Sequence, residues 1–257
     1  MKMTVLGCSE SSGTPRVGCE CEVCTSVNPK NKRSRVSILV EQGDTRLLVD
    51  TSPDLRAQAL REGIKTVDAV LYTHAHSDHV HGIDDVRSFN FHGGKVLPAY
   101  SDKATLSQLH NMFAYVFNTP EAERGWFRPQ LEAREIEAGK AFDAAGVTVM
   151  PFRQQHGHNV SLGFRIGNFA YSTDVSDFPP ESEEHLYGLD CWLVDCLSIK
   201  PVPTHAHLEK TLGWIEKFKP KRAVLTHMSH HLEYDWLNAN TPDNVEAAYD
   251  GMVLQII

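Results

Sequence analysis

Thr73-His74-Ala75-His76-Ser77-Asp78-His79, with Gly82 three residues on, is the stretch whose reading decides the fold. Ahead of it, Asp68-Ala69-Val70-Leu71-Tyr72 is an apolar, partly β-branched run that reads as a buried strand. The histidines therefore begin where a strand ends, which is where α/β proteins place their chemistry. His74 and His76, two apart, point the same way from an extended end, while Asp78 and His79 follow a turn and face a second point. Imidazole and carboxylate together suit zinc, iron or manganese.

Upstream, Val36 to Val40 and Thr45 to Val49 flank Gln42-Gly43-Asp44 and read as a hairpin. Asp50 follows the second strand, Pro53 suits a first helical turn, and Asp54 to Glu62 has helical spacing before Gly63. A plain role for Asp50 is a helix cap. Nearer the start, Met3 to Leu6 reads as a strand and Gly7 to Gly18 as a loop. Cys19-Glu20-Cys21-Glu22-Val23-Cys24 is a C-x-C-x2-C cluster whose spacing favours a structural zinc knot over a strained disulfide. Three sulfurs leave one tetrahedral position for a ligand from elsewhere. Cys8, Cys191 and Cys196 read as buried thiols, and the basic stretch Asn28 to Arg35 as exposed.

Composition bounds the class. A chain of 257 residues, 41% hydrophobic and 23% charged, suits one large globular α/β domain or two small ones, and a single domain spanning residues 1–257 is expected. No apolar run reaches a membrane span, and Met1 to Gly7 is too short for a signal peptide, so a cytoplasmic protein is expected. A net charge of −8 argues against an extended nucleic-acid surface. Six cysteines in such a compartment suggest metal ligands before disulfides, and fourteen histidines call for a chemical explanation.

Downstream, Ile83 to Asn90 reads as one short helix, Lys95 to Tyr100 as a strand, and Ala104 to Phe117 as an amphipathic helix. Phe89 to Phe91, Phe113, Tyr115 and Trp126-Phe127 either line a substrate mouth or, the commoner case, join the core. Asn118 to Arg134, with Pro120, Gly125 and Pro129, is a candidate flap. Val147 to Phe152 is a strand running toward His156 and His158. Ser161 to Ile166 and Phe169 to Ser172 form a hairpin that ends at Thr173-Asp174. Cys191 to Val194 is a strand ending at Asp195, Thr211 to Phe218 is helical, and Arg222 to His227 is a strand ending in a histidine. Asn244 to Tyr249 and Met252 to Ile256 flank Asp250-Gly251, a hairpin signal. Alternating strands and helices make this an α/β protein. There is also an echo: Asp68 to His74 resembles Arg222 to His227, and Leu47 to Asp50 resembles Tyr171 to Asp174. Two β-rich halves packed face to face would set such strand ends around one site.

H-x-H-x-D-H after a strand resembles the signature of the metallo-β-lactamase superfamily, and the resemblance extends over nearly the whole chain. It implies a four-layer αβ/βα sandwich and two active-site divalent metals, zinc or manganese. By resemblance His74, His76 and His156 hold metal one, with His158 the weaker competitor for the third place. Asp78, His79 and His227 hold metal two, and Asp174 bridges. Asp174 stands where the β-lactamases proper carry Cys, which argues against lactam hydrolysis. Asp50 would then lie beneath the metals and orient a ligand histidine.

The cysteine cluster, together with Thr226-His227-Met228-Ser229-His230, resembles the PhnP-type phosphodiesterases. That resemblance implies one structural zinc on Cys19, Cys21, Cys24 and His230. Thr204-His205-Ala206-His207-Leu208 resembles their catalytic N-H-x-D-L segment, with His207 in place of the Asp. Asp78, His205 and His207 are the implied catalytic groups, His205 before His207 as proton donor to the leaving group. In the implied reaction a hydroxide held by two metals about 3.5–4 Å apart attacks phosphorus in line. The expected substrate is a small phosphodiester, cyclic, ribosyl or nucleotide, with Arg16, Arg35, Arg87 and Arg153 as candidates for a second phosphate. The alternatives are an RNA 3′-end nuclease of the tRNase Z type, which would need a long RNA-gripping arm, and a non-catalytic PqqB-like carrier of a small molecule. No membrane partner is expected, nucleic acid is disfavoured, and a homodimer is left open.

Overall fold

The structure is a computed structural model that describes residues 1–118 and 128–256. Its layers follow from strands that are apolar on both faces. The strands β1 (Lys2–Gly7), β2 (Ser37–Gln42), β3 (Thr45–Val49), β4 (Ala69–Leu71), β5 (Leu97–Ser101) and β6 (Leu131–Glu135) belong to one sheet. Along them Met3, Val5, Ile38, Val40, Leu47 and Val49 feed one buried cluster. Their alternates Leu6, Leu39, Leu48, Val70 and Leu97 feed another. Successive side chains point to opposite faces, so such a sheet must be covered twice.

One cover is a second sheet. It contains β7 (Phe142–Ala144), β8 (Val147–His156), β9 (Asn159–Ile166), β10 (Phe169–Ser172), β11 (Cys191–Asp195), β12 (Arg222–Thr226) and β13 (Val245–Ala247), while β14 (Val253–Gln255) returns to the first. The other cover is helical. The helices are α1 (Glu22–Thr25), α2 (Leu55–Arg61), α3 (Ser77–Val80), α4 (Val86–Gly93), α5 (Lys103–Met112), α6 (Ala114–Phe117), α7 (Pro180–Glu183), α8 (Leu208–Phe218) and α9 (Tyr234–Ala239). Leu55, Val80, Phe89, Leu106 and Val116 bring α2 to α6 onto the first sheet. On the far side, Trp214 and Phe218 of α8 pack on Phe178 and Trp192. The architecture is the expected αβ/βα sandwich.

Both sheets have seven strands, in the orders β14-β1-β2-β3-β4-β5-β6 and β7-β8-β9-β10-β11-β12-β13 reading from the antiparallel end. In each, three antiparallel pairings are followed by three parallel ones. β3 therefore corresponds to β10, in keeping with the echo between Asp50 and Asp174. β4 corresponds to β11 and not, as the second echo suggests, to β12. Asp50, Asp174 and His227 each follow one of these strand ends at positive φ (62°, 52° and 56°). Such backbone is costly for a residue with a Cβ and gathers at functional sites.

Some sequence expectations are corrected. Asp250-Gly251 does not close a hairpin: β13 pairs with β12 and β14 with β1, in different sheets. A turn does form there, with Met252 N donating to Tyr249 O, but buried Asp250 accepts from Ser34 N, Ser34 Oγ and Arg61, and these long-range bonds carry the chain from one sheet to the other. The segment before α4 is a separate 3-10 turn, Ile83–Asp85. The helix expected to Phe117 breaks at Phe113, whose φ of −131° separates α5 from α6. Within Asn28 to Arg35, Asn31 and Arg33 are buried; Arg33 Nη2 donates to the carbonyls of Ser229 and Leu232. The expected flap coincides largely with residues 119–127, which lie outside the described residues together with Trp126 and Phe127, and its end, from Leu131, is strand β6. Phe89 is core, whereas Phe91 is exposed. Among the described residues no helix is long and apolar enough to cross a membrane.

Gly82 straps the histidine motif to the Thr51-Ser52 segment that leads into α2. Its N–H donates to Thr51 O, and Thr51 N donates to His79 O. A Cβ at Gly82 would stand 2.0 Å from the Ser52 carbonyl oxygen. Gly82→Ala must therefore displace backbone, at a cost of about 1–3 kcal/mol. Thermal unfolding should show Tm lowered by several degrees, and an unchanged Tm would mean that the strap yields freely.

Candidate metal centre

The site assembles at the ends of β3, β4, β8, β10, β11 and β12, along one edge of the sandwich. His74, His76, His156 and Asp174 bring their ligand atoms within 4.8 Å of one another, as do Asp78, His79 and His227. Asp174 joins the two groups. Its Oδ2 lies 3.7 Å from Nε2 of both His74 and His156. Its Oδ1 lies 3.0 Å from His79 Nε2 and 3.3 Å from His227 Nε2. Asp78 Oδ2 sits 3.5 Å and 3.6 Å from the same two nitrogens.

These atoms aim at shared points more than at each other. His74 Nε2, Asp78 Oδ2, His79 Nε2 and His227 Nε2 are buried without a hydrogen-bond partner. Buried polar atoms left unpaired are costly, and convergent unpaired imidazoles and carboxylates fit divalent cations. The opposite nitrogens are held from behind. His79 Nδ1 donates to Asp50 Oδ2 at 2.7 Å, and His156 Nδ1 donates to Thr204 O at 2.8 Å. Asp50 in turn accepts from Thr73 N and Thr73 Oγ1. Asp50 is thus no helix cap; the cap position of α2 is Asp54. Backing of this kind sets ring orientation and tautomer.

Electrostatics divide the histidines. Burial pushes His74 well below the usual imidazole range, and it lowers His76 and His156 as well. Those rings are neutral, the form that ligates metal. Burial also opposes charge on His79 and His227, yet Asp174 and Asp78 outweigh it. His79 is held well above its usual range and His227 is raised to about 9. Burial likewise favours the neutral form of Asp78 and Asp174, but the facing histidines hold both carboxyls well below their usual range. The second group thus carries buried negative charge that demands cationic partners.

His205 enters the same space and His207 does not. His205 Nε2 lies 4.0 Å from Asp174 Oδ2, and its ring stacks on His227 at 4.8 Å. Its Nδ1 donates to Asp195 Oδ2 at 3.0 Å, which leaves Nε2 facing the site. His207 stands at the N-cap of α8 and belongs to no convergent donor group among the described residues. His158 is exposed on the turn after β8, outside these groups. Of the arginines considered, Arg35 is committed to Asp54.

Sequence reasoning left Asp195 and Thr73 without roles. Asp195 is fully buried, binds Val175 N and His205, and faces His227 Nδ1 at 3.7 Å. The signal for it was present: it ends the strand between β10 and β12, both of which end in site residues.

A second donor group lies beyond β12. Cys19, Cys21, Cys24 and His230 bring their ligand atoms within 4.8 Å, with His230 Nδ1 3.4 Å from the sulfurs of both Cys19 and Cys21. The six cysteines are all free thiols. The His230 contact lowers the Cys21 thiol to about 6. Met228 N donates to Cys8 O and Ser229 N to Leu197 O, so the turn between His227 and His230 is fixed on both sides. If this group holds zinc, Cys21→Ser should lose that ion and lower Tm by at least about 5 °C, since metal binding adds folding free energy. Metal analysis with thermal melting checks this; unchanged zinc and unchanged Tm would refute it.

Comparison with known proteins gives four relevant likenesses. Residues 45–228 match the beta-lactamase superfamily domain. A crystal structure of a new diphosphatase from the PhnP family is 38% identical with a TM-score of 0.91, covering 100% of this chain and 98% of that one. An octanoyltransferase of Porphyromonas gingivalis is 36% identical over 256 residues, 98% of this chain and 51% of its own length. A ribonuclease Z of Bradyrhizobium diazoefficiens is 30% identical over 142 residues, 53% of this chain and 45% of its own. The chain spans about half the length of these curated relatives.

Proposed function

The chain belongs to the metallo-β-lactamase superfamily, and from that premise we propose that it is a dinuclear-metal phosphodiesterase acting on a small phosphodiester. The observation that carries the reading is the division of Asp174 between two donor groups, Oδ2 toward His74 and His156 and Oδ1 toward His79 and His227. His74, His76 and His156 would hold one divalent ion, zinc or manganese, Asp78, His79 and His227 the other, with Asp174 shared. When bound, such a pair supplies Lewis acidity and an activated water at neutral pH.

The rest is the work of the chain. Asp50 and Thr204 O hold His79 and His156 in the ligating tautomer. The buried carboxylates Asp78 and Asp174 set the charge that selects divalent cations. Asp195 holds the His205 ring so that Nε2 can pass a proton to the departing alkoxide. A structural zinc on Cys19, Cys21, Cys24 and His230 would brace the turn that follows His227.

The diphosphatase likeness favours phosphoanhydrides as a second substrate class, and the ribonuclease Z likeness keeps RNA in the test. Metal-loaded protein should turn over bis-p-nitrophenyl phosphate and either 2′,3′-cyclic nucleotides, ribosyl cyclic phosphates or a diphosphate-linked dinucleotide. Preference for precursor tRNA over all of these would replace the reading with the nuclease; no turnover by fully loaded protein would favour the carrier.

A further inference from the structure

Away from the metal donors, the helix layer of the first sheet contains a cavity of about 430 Å³ between α2 and α4. Its floor is apolar, formed by Leu55, Ile64 and Phe89, and Leu60 stands on its lip 67% exposed. Its rim is basic. Arg56, Lys65 and Arg87 all line it, and Asp85 is the one carboxylate that does. None of the convergent metal donors contributes to it.

The pattern is unusual for this chain. The protein is acidic overall, with a net charge of −8. Other cations nearby are matched to acids: Arg35 to Asp54, Arg61 to Glu62 and Asp250, Lys95 to Asp68. Arg56, Lys65 and Arg87 have no such close salt bridge among the described residues, and Asp85 is the carboxylate whose charge Arg56 and Arg87 both feel. Three cations against one carboxylate leave the rim of an apolar hollow net positive, and an anion among them offsets that excess. Guanidinium forks accept carboxylate and phosphate oxygens alike. The volume lies in the range of small-molecule sites.

We propose that this cavity binds an organic anion with an apolar body and a terminal carboxylate or phosphate. The body lies on Leu55, Ile64 and Phe89 and displaces water from them. The head group meets Arg56 and Arg87, with Lys65 at the rim. α2 begins just after Asp50 and α4 follows the 3-10 turn beyond His79, so the ligand bridges two elements that leave the metal centre without touching it.

The test is amide NMR of the full-length zinc-loaded protein titrated with decanoate, with AMP and with inorganic phosphate. Decanoate or AMP, whichever carries the preferred head group, should shift Leu60, Gly63, Ile64 and Ser88 saturably. Inorganic phosphate should not shift them. Arg56→Glu combined with Lys65→Glu should weaken binding at least about tenfold, the scale of one charge-assisted hydrogen bond. Leu60→Glu should weaken it too. Both variants alter exposed residues outside the metal centre and should leave bis-p-nitrophenyl phosphate turnover unchanged. Absence of shifts at these amides with both organic anions at millimolar concentration would overturn the proposal. So would equal shifts with phosphate alone, or unaltered affinity in the charge-reversed variant.

Discussion

Asp174→Ala is expected to abolish turnover, with a fall of roughly 10⁴-fold or more, the scale for one member of an interdependent catalytic unit. The two oxygens of this carboxylate serve different donor groups, so its removal strips a ligand from both at once. Metal analysis should find both active-site ions lost and the cysteine-bound zinc retained. Stability should suffer as well. His79 and His227 draw their raised basicity chiefly from Asp174 against the pull of burial. Without it, both buried rings lose the carboxylate and the ions they face, so thermal unfolding should occur at a lower temperature. A variant that keeps two active-site ions and full activity would exclude the bridging role of Asp174.

His205→Ala should leave metal content and Tm nearly unchanged while slowing alkyl-ester substrates by about 10²–10⁴-fold, the contribution of a positioned acid. The ring is half enclosed between His156 and His227, and its Nδ1 is occupied by Asp195. Only Nε2 is free to serve the reaction. p-Nitrophenolate departs without a proton, so bis-p-nitrophenyl phosphate should suffer far less. The ratio of the two losses is the measurement. Equal losses would mean that His205 stabilises charge or holds phosphate, and loss of one active-site ion would make it a ligand, as its closeness to Asp174 and His227 also allows. His207→Ala serves as the control. Its position at the N-cap of α8 predicts little change.

The sequence by itself determined what depends on neighbours a few residues apart. The alternation in Met3 to Leu6 and in Val36 to Val49 specifies strands with two faces, and H-x-H-x-D-H after Tyr72 specifies a cluster of donors at a strand end. The cysteine spacing specifies three sulfurs within reach of one point. Each pattern is readable because the β period and the reach of a side chain are local properties.

Only the tertiary structure decided which distant residues complete these clusters. Asp250-Gly251 has the composition of a hairpin turn, yet Asp250 binds Ser34 across 216 positions and sends the chain from one sheet to the other. Arg33 lies in a run of polar residues that reads as surface, yet its guanidinium is buried against the carbonyls of Ser229 and Leu232. Asp195 ends a strand as Asp174 follows one, but only the seating of β11 between β10 and β12 brings it to His205 and His227. His205 and His207 are alike in sequence; one faces Asp174 and the other starts a helix, because Leu197 N donates to Ala206 O and Leu208 N donates to Ser198 O, which fixes the loop between them. In every case the deciding interaction joins groups far apart in the chain. Its energy comes from burial and from pairing buried polar groups, and no local period encodes either.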